Sequence, residues 1–149
     1  MVILICGMIF TFSSQDASDS TVTSIGLIRT IVNVLPGTKN LPDNVKDDIC
    51  KNLDKIVRKT AHFLIFASLG FFAIGAANST WEKASILIVL ICCAFYATTD
   101  EIHQLFVKGR AGRFTDVLID TTGSAFGIGC YIILIKIIKG VVKCQHQKN

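Results

Sequence analysis

Residues 98–120 read TTDEIHQLFVKGRAGRFTDVLID and lie between two strongly apolar runs. The stretch collects Asp100, Glu101, His103, Gln104, Arg110, Asp116 and Asp120. These side-chain types support three chemistries. Carboxylates and imidazole together hold a divalent cation. A histidine titrating near neutrality serves as general acid or base. Arginines oriented by neighbouring acids bind phosphate or carboxylate. An ionisable group near a bilayer centre costs ~2.5–3.5 kcal/mol or more, so charges in such a setting need a reason.

The composition makes that setting a membrane. Of 149 residues, 51% are hydrophobic and only 17% charged, too little polar surface for a small soluble domain. The net charge of +4 is modest. No concentrated basic patch with interleaved aromatics signals nucleic-acid binding. The excess lysine suits anionic headgroups instead. The cysteines at 6, 50, 92, 93, 130 and 144 contain no C-x-x-C pair. Cys6, Cys92, Cys93 and Cys130 read as small hydrophobes in helices rather than a disulfide framework.

Hydropathy and spacing predict an all-α integral membrane protein. It is a single domain over 1–149, a small bundle of four transmembrane helices. The spans fall at 1–12, 61–78, 81–99 and 117–138, with a polar connection over 13–60. MVILICGMIFTF (1–12) has neither a basic leader nor a cleavage site, so it is a poor signal peptide. At ~1.5 Å per residue it is too short to cross a ~30 Å core, which places the expected true start upstream. The connection carries two amphipathic interfacial helices. One is marked by Val22, Ile25, Ile28, Ile31, Val32 and Leu35, the other by Val45, Ile49, Leu53 and Ile56. LPGTKNLPDN, with both prolines, separates them. Trp81 reads as an interface anchor. The acid-free lysine tail points to a cytoplasmic C-terminus, which puts 100–116 outside; the loop charges weaken this reading.

Helical spacing then aims the ionisable groups. At the end of the third span Asp100, His103 and Gln104 share one side, with Glu101 adjacent, while Ile102, Leu105 and Phe106 take the other. Gly109 and Gly112 permit a tight turn returning through Arg110 and Arg113. Thr115 is the expected N-cap of the last helix, with Asp116 near the positive end of its dipole. Asp116, Asp120, Gly123 and Gly127 form one stripe, and the glycine pair lets a neighbouring helix come close. On the second span Lys59, His62, Phe66 and Leu69 follow the same spacing. Each residue alone has a plainer role: His62 a packing hydrogen bond, Asp116 a cap, Arg110 and Arg113 headgroup contacts, DEIHQ a solvated helix end. Asp120 is harder to dismiss, since it falls inside an apolar run and needs a partner from Lys59, Arg110 or His62.

Three stretches carry a resemblance: FSSQ (12–15), KTAHFLIFASLG (59–70) and DEIHQLFVKGRAGRFTDVLIDTTGSAFG (100–127). Together, in this order, they resemble the VanZ-like family of bacterial membrane proteins. The resemblance implies a small multi-pass protein of the bacterial plasma membrane. Its founding member is associated with low-level resistance to the glycopeptide antibiotic teicoplanin. It also implies a full first span after a basic cytoplasmic leader, a feature this sequence lacks. It brings no established reaction. The family motif falls here on Lys59, His62, Asp100, Glu101, His103, Gln104, Arg110, Asp116, Asp120 and Gly123.

Three functions stay open. The first is a binding module engaging an envelope lipid, a cell-wall precursor lipid or a lipoglycopeptide at an extracytoplasmic polar site. The second is an intramembrane hydrolase of a lipid phosphate, with Asp100, Glu101, His103, Asp116 and Asp120 around a metal and His62 or His103 as acid or base. The third is a scaffold whose buried ion pairs fix helix packing. Neither H-E-x-x-H nor G-x-S-x-G occurs, so no catalytic residue, resident metal or cofactor is assigned and the balance lies against an enzyme.

Overall fold

In the computed structural model, which describes residues 1–38, 41–81 and 85–146, the apolar and amphipathic patterns become five helices. They are α1 (Val2–Ser13), α2 (Ala17–Val34), α3 (Asp43–Thr80), α4 (Ile86–Gln104) and α5 (Phe114–His146). Among the described residues there is no strand. Three helices, α3, α4 and α5, are long and apolar enough to cross a membrane, whereas α1 is shorter, at 12 residues. With three such helices and apolar side chains such as Ile3, Phe95, Phe126 and Ile133 exposed, the chain is a multi-pass membrane protein.

Segment boundaries differ instructively from the sequence reading. The amphipathic pattern near 45–56 and the span beginning at 61 are one uninterrupted α3 of 38 residues. No proline or glycine interrupts KNLDKIVRKTAH, so nothing ends the helix there. At this length it rises about 57 Å, far beyond the hydrocarbon thickness. Its first half therefore stands clear of the apolar layer and carries α2. The contact face keeps part of each predicted line and is turned towards Cys50. Ile25, Ile28 and Val32 of α2 pack with Ile49 and Cys50 of α3, while Val22, Ile31, Leu35, Val45, Leu53 and Ile56 stay exposed. The buried line on α3 is Lys46, Cys50 and Asp54, four residues apart. The outward apolar side chains suit a helix pair at the bilayer interface. The third span runs over 86–104, five residues later than the hydropathy limits, and α5 starts at Phe114, so Thr115 lies within the first turn rather than capping it.

The core is built where α1, α3 and α4 meet. Ile5 and Ile9, four apart on α1, pack with Phe66, Leu69, Cys93 and Ala97. The Tyr96 hydroxyl donates to the Cys6 carbonyl at 2.8 Å, tying α4 to α1. All cysteines with described side chains are free thiols.

Packing of α3 on α5 is closer still. A Cβ added at Gly123 would collide with the Phe63 carbonyl, one at Gly127 with the Ala67 carbonyl, and one at Gly70 with the Ser124 carbonyl. Backbone touches backbone, and the Ser124 hydroxyl donates to the Phe66 carbonyl at 3.2 Å. The pairings Phe63–Gly123 and Ala67–Gly127 make the two helices parallel. Contacts of Cys6 with Tyr96 and Ser13 with Asp100 make α1 parallel to α4. The bundle therefore gathers the ends of α1 and α4, the start of α5 and the middle of α3 at one level.

Gly127→Ala is expected to destabilise the fold by more than the ~1–3 kcal/mol of ordinary overpacking, since carbonyl backbone cannot step aside. Gly129→Ala, with nothing within 4 Å of the new methyl, is expected to stay within ~0.5 kcal/mol of wild type. Thermal unfolding of the two variants in detergent micelles checks the contrast.

Candidate functional site

The common level of the helix ends is where the ionisable residues lie. The last turns of α4 bury Asp100, Glu101 and Gln104, with His103 half-buried, and expose Ile102, Leu105 and Phe106. The chain then turns over Gly109, whose φ of 76° is a conformation glycine adopts without strain. It re-enters as α5, with Asp116 in the first turn and Asp120 one turn deeper. Facing α5 across the glycine contacts are Lys59 and His62 of α3.

Four small networks result. In the first, the Lys59 ammonium meets Asp116 Oδ1 at 2.8 Å, half in solvent. In the second, the Glu101 carboxylate accepts the Arg113 backbone N–H at 2.7 Å and so fixes the turn into α5. In the third, the His103 ring stacks on Phe10 with centroids 4.6 Å apart. Its Nε2 lies 3.1 Å from the Ser14 hydroxyl. In the fourth, Asp100 Oδ2 accepts the Ser13 hydroxyl at 2.7 Å and the Gln104 amide at 3.1 Å, all three residues buried.

Arg110 spans the gap between the turn and the end of α1. Its Nε donates to the Gln15 carbonyl at 2.9 Å and a terminal nitrogen to the Phe12 carbonyl at 3.1 Å. Burial, and then the nearby Arg58 charge, push the Arg110 guanidinium below its ordinary value. An arginine retains its charge in proteins regardless.

Asp120 is the exception. It is 1% exposed, and neither carboxylate oxygen has a hydrogen-bond partner among the described residues. Of the three partners expected, Lys59 is engaged by Asp116 and Arg110 by backbone carbonyls. His62 is the neighbour that remains, its Nδ1 at 3.7 Å, beyond a hydrogen bond. His62, Asp100 and Asp120 offer ligand atoms that all lie within 4.8 Å of one another. The five residues weighed as a metal set therefore divide: Asp100 and Asp120 converge with His62, while Glu101, His103 and Asp116 have other contacts.

His62 and Asp120 border a cavity of about 230 Å³. Arg58, Lys59, Arg110 and Arg113 line it together with His62, Glu101, Gln104, Asp116 and Asp120. The four cations are half-buried or exposed, whereas Glu101 and Asp120 are buried. Gly123 and Gly127 stand apart from the cavity, in the α3–α5 contact.

The sequence reading missed Ser13, Ser14 and Arg58 as parts of this site. The two serines belong to the FSSQ stretch, whose Phe12 and Gln15 carbonyls also hold Arg110. A helix end carrying two serines reads locally as solvated; only contacts to residues nearly ninety positions away disclose the role. Arg58 pairs with buried Asp54 at 3.0 Å and was overlooked beside Lys59.

Ser13→Ala is expected to cost ~1–3 kcal/mol, because it removes a donor from a buried carboxylate. Ser14→Ala, at an exposed hydroxyl, is expected to cost under ~0.5 kcal/mol. Denaturation midpoints in micelles measure both.

No curated protein and no solved structure matches the chain. A family model described as VanZ/LLP1 matches residues 1–136. That match covers the helix-end serines, the Lys59–His62 face, the returning turn and the glycine contacts. The chain belongs to the VanZ/LLP1 family.

Proposed function

We propose that the chain binds the anionic headgroup of an envelope lipid or lipid-linked cell-wall precursor at the cavity bordered by His62 and Asp120. The observation that carries this reading is the cluster of four cations, Arg58, Lys59, Arg110 and Arg113, which outnumber the carboxylates Glu101, Asp116 and Asp120 around one opening. Arginine offers paired donors that match phosphate geometry, and lysine adds a point charge. Asp116 holds Lys59, and the Phe12 and Gln15 carbonyls hold Arg110, so part of the ordering cost is met before a ligand arrives. Gln104 and Glu101 line the same space and can meet sugar or amide groups.

Size argues for a headgroup over a whole antibiotic. About 230 Å³ falls below the ~300–1,000 Å³ of pockets that enclose drug-sized ligands. A volume of this size suits a phosphate with one attached sugar better than the body of a lipoglycopeptide. Protection against teicoplanin then follows from binding or sequestering its envelope target. In this reading the cavity faces the outside of a bacterial plasma membrane.

Arg113→Ala removes a charge-assisted contact, about 1.5–3 kcal/mol, so the affinity for a phosphate-bearing lipid in nanodiscs is expected to fall ~10-fold or more. In a susceptible bacterial host, wild type is expected to raise teicoplanin tolerance. Asp100→Asn and Asp116→Asn, at matched membrane levels, are expected not to. Equal protection by all three chains would sink the reading.

One observation favours a second reading, hydrolysis of a lipid phosphate: the His62–Asp100–Asp120 group has the residue types of a hydrolytic metal centre. Phosphate release from a lipid phosphate that stops with a chelator would replace binding by hydrolysis.

A further inference from the structure

We infer that His62, Asp100 and Asp120 form a binding site for one divalent first-row transition-metal cation. The inference stands without the headgroup reading, because none of its three ligands is among the four cations on which that reading rests.

Electrostatics comes first. Asp100 is 4% exposed and Asp120 1%, each on a membrane-spanning helix. A buried charge left without a counter-charge costs several kcal/mol. Three of the four cations lining the cavity have other partners. Lys59 meets Asp116, Arg58 meets Asp54, and Arg110 is held on carbonyls. Among the described residues no lysine or arginine reaches Asp100 or Asp120 within ion-pair distance. The neighbour left is His62, at 3.7 Å. A dication supplies the missing charge for both carboxylates at once.

The donor set then selects the class of ion. One imidazole nitrogen with carboxylate oxygens suits zinc, manganese or iron, whereas calcium and magnesium prefer oxygen alone. Such ions bond these atoms at about 2.0–2.2 Å, so adjacent ligand atoms stand about 3 Å apart when bound. Atoms within 4.8 Å of one another reach that spacing by small side-chain rotations. The supporting contacts are in place on one ligand. Ser13 and Gln104 both donate to Oδ2 of Asp100 and so hold its carboxylate in place. Donors of this kind fix the direction of a metal-binding carboxylate. Asp120, buried and without a hydrogen bond on either oxygen, lines the cavity through which an ion would enter.

The test uses the full chain in detergent micelles, dialysed against chelator and titrated with Co²⁺. The expected result is a visible ligand-field absorption that saturates at one ion per chain and is lost on adding Zn²⁺. Asp120→Asn and His62→Gln are expected to abolish it. Ser13→Ala is expected to weaken binding ~10–100-fold by freeing the Asp100 carboxylate. His103→Gln, whose ring stacks on Phe10, is expected to bind as wild type does. Where a variant does not fold, wild type decides alone: bound Cu²⁺ is expected to show nitrogen coupling from one imidazole in pulsed EPR. No saturable Co²⁺ site, proton uptake by the carboxylates with no metal bound, or equal loss in His103→Gln would overturn the assignment.

Discussion

Everything at the polar end of this bundle depends on how closely α3 and α5 approach. Gly70, Gly123 and Gly127 remove the side chains that would hold the two helices at ordinary separation. In lipid there is no hydrophobic force to press helices together, so close packing and interhelical hydrogen bonds must do it. The contact also sets register. With Phe63 against Gly123 and Ala67 against Gly127, Lys59 falls beside Asp116 and His62 beside Asp120. A slip by one turn would pair Lys59 with Asp120 and expel His62 from the site.

This dependence explains what could and could not be read from the chain. The stripe Asp116, Asp120, Gly123, Gly127 and the face Lys59, His62 follow from helical spacing, and so does the burial of Asp100 and Gln104 against exposed Ile102, Leu105 and Phe106. The partner of Asp120 does not follow. Lys59, Arg110 and His62 all lie on the correct side, and only the register between helices chooses among them. The unbroken α3 was missed for a different reason. Hydropathy locates where a chain becomes apolar, not where its backbone stops being helical, and KNLDKIVRKTAH changes the first without affecting the second. The rotated contact of α2 has a similar origin. At a bilayer interface apolar residues can face lipid, so the most apolar line of a helix need not mark its protein contact.

The end of α1 shows how little sequence carries a closure. Four consecutive residues, Phe12 to Gln15, contribute two hydroxyls and two carbonyls to Asp100, His103 and Arg110. Two of these contacts use backbone atoms, which leave no trace in side-chain type. The other two use serine, the residue least distinguishable from a solvated helix end. α1 itself is short, yet Ile5 and Ile9 anchor it to Phe66 and Ala97, so the closing residues rest on a packed core.

The pattern of pairing also bears on whether the charges only hold helices together. A network selected for packing alone should leave each acid neutralised, because an uncompensated buried carboxylate costs more than the pair returns. Asp116 with Lys59 and Asp54 with Arg58 meet that condition. Asp100 has hydrogen bonds but no ion pair among the described residues, and Asp120 has as its counter-charge only a His62 ring at 3.7 Å. Their surroundings are otherwise built with care: Asp100 is held by two donors, and Asp120 sits on the helix face whose neighbours touch backbone to backbone. Replacing Asp120 with an apolar residue would remove the electrostatic penalty without disturbing Gly123 or Gly127. The closest backbone contact among the described residues thus positions Asp120, whose oxygens have no hydrogen bond, which is the geometry the proposed ion site requires.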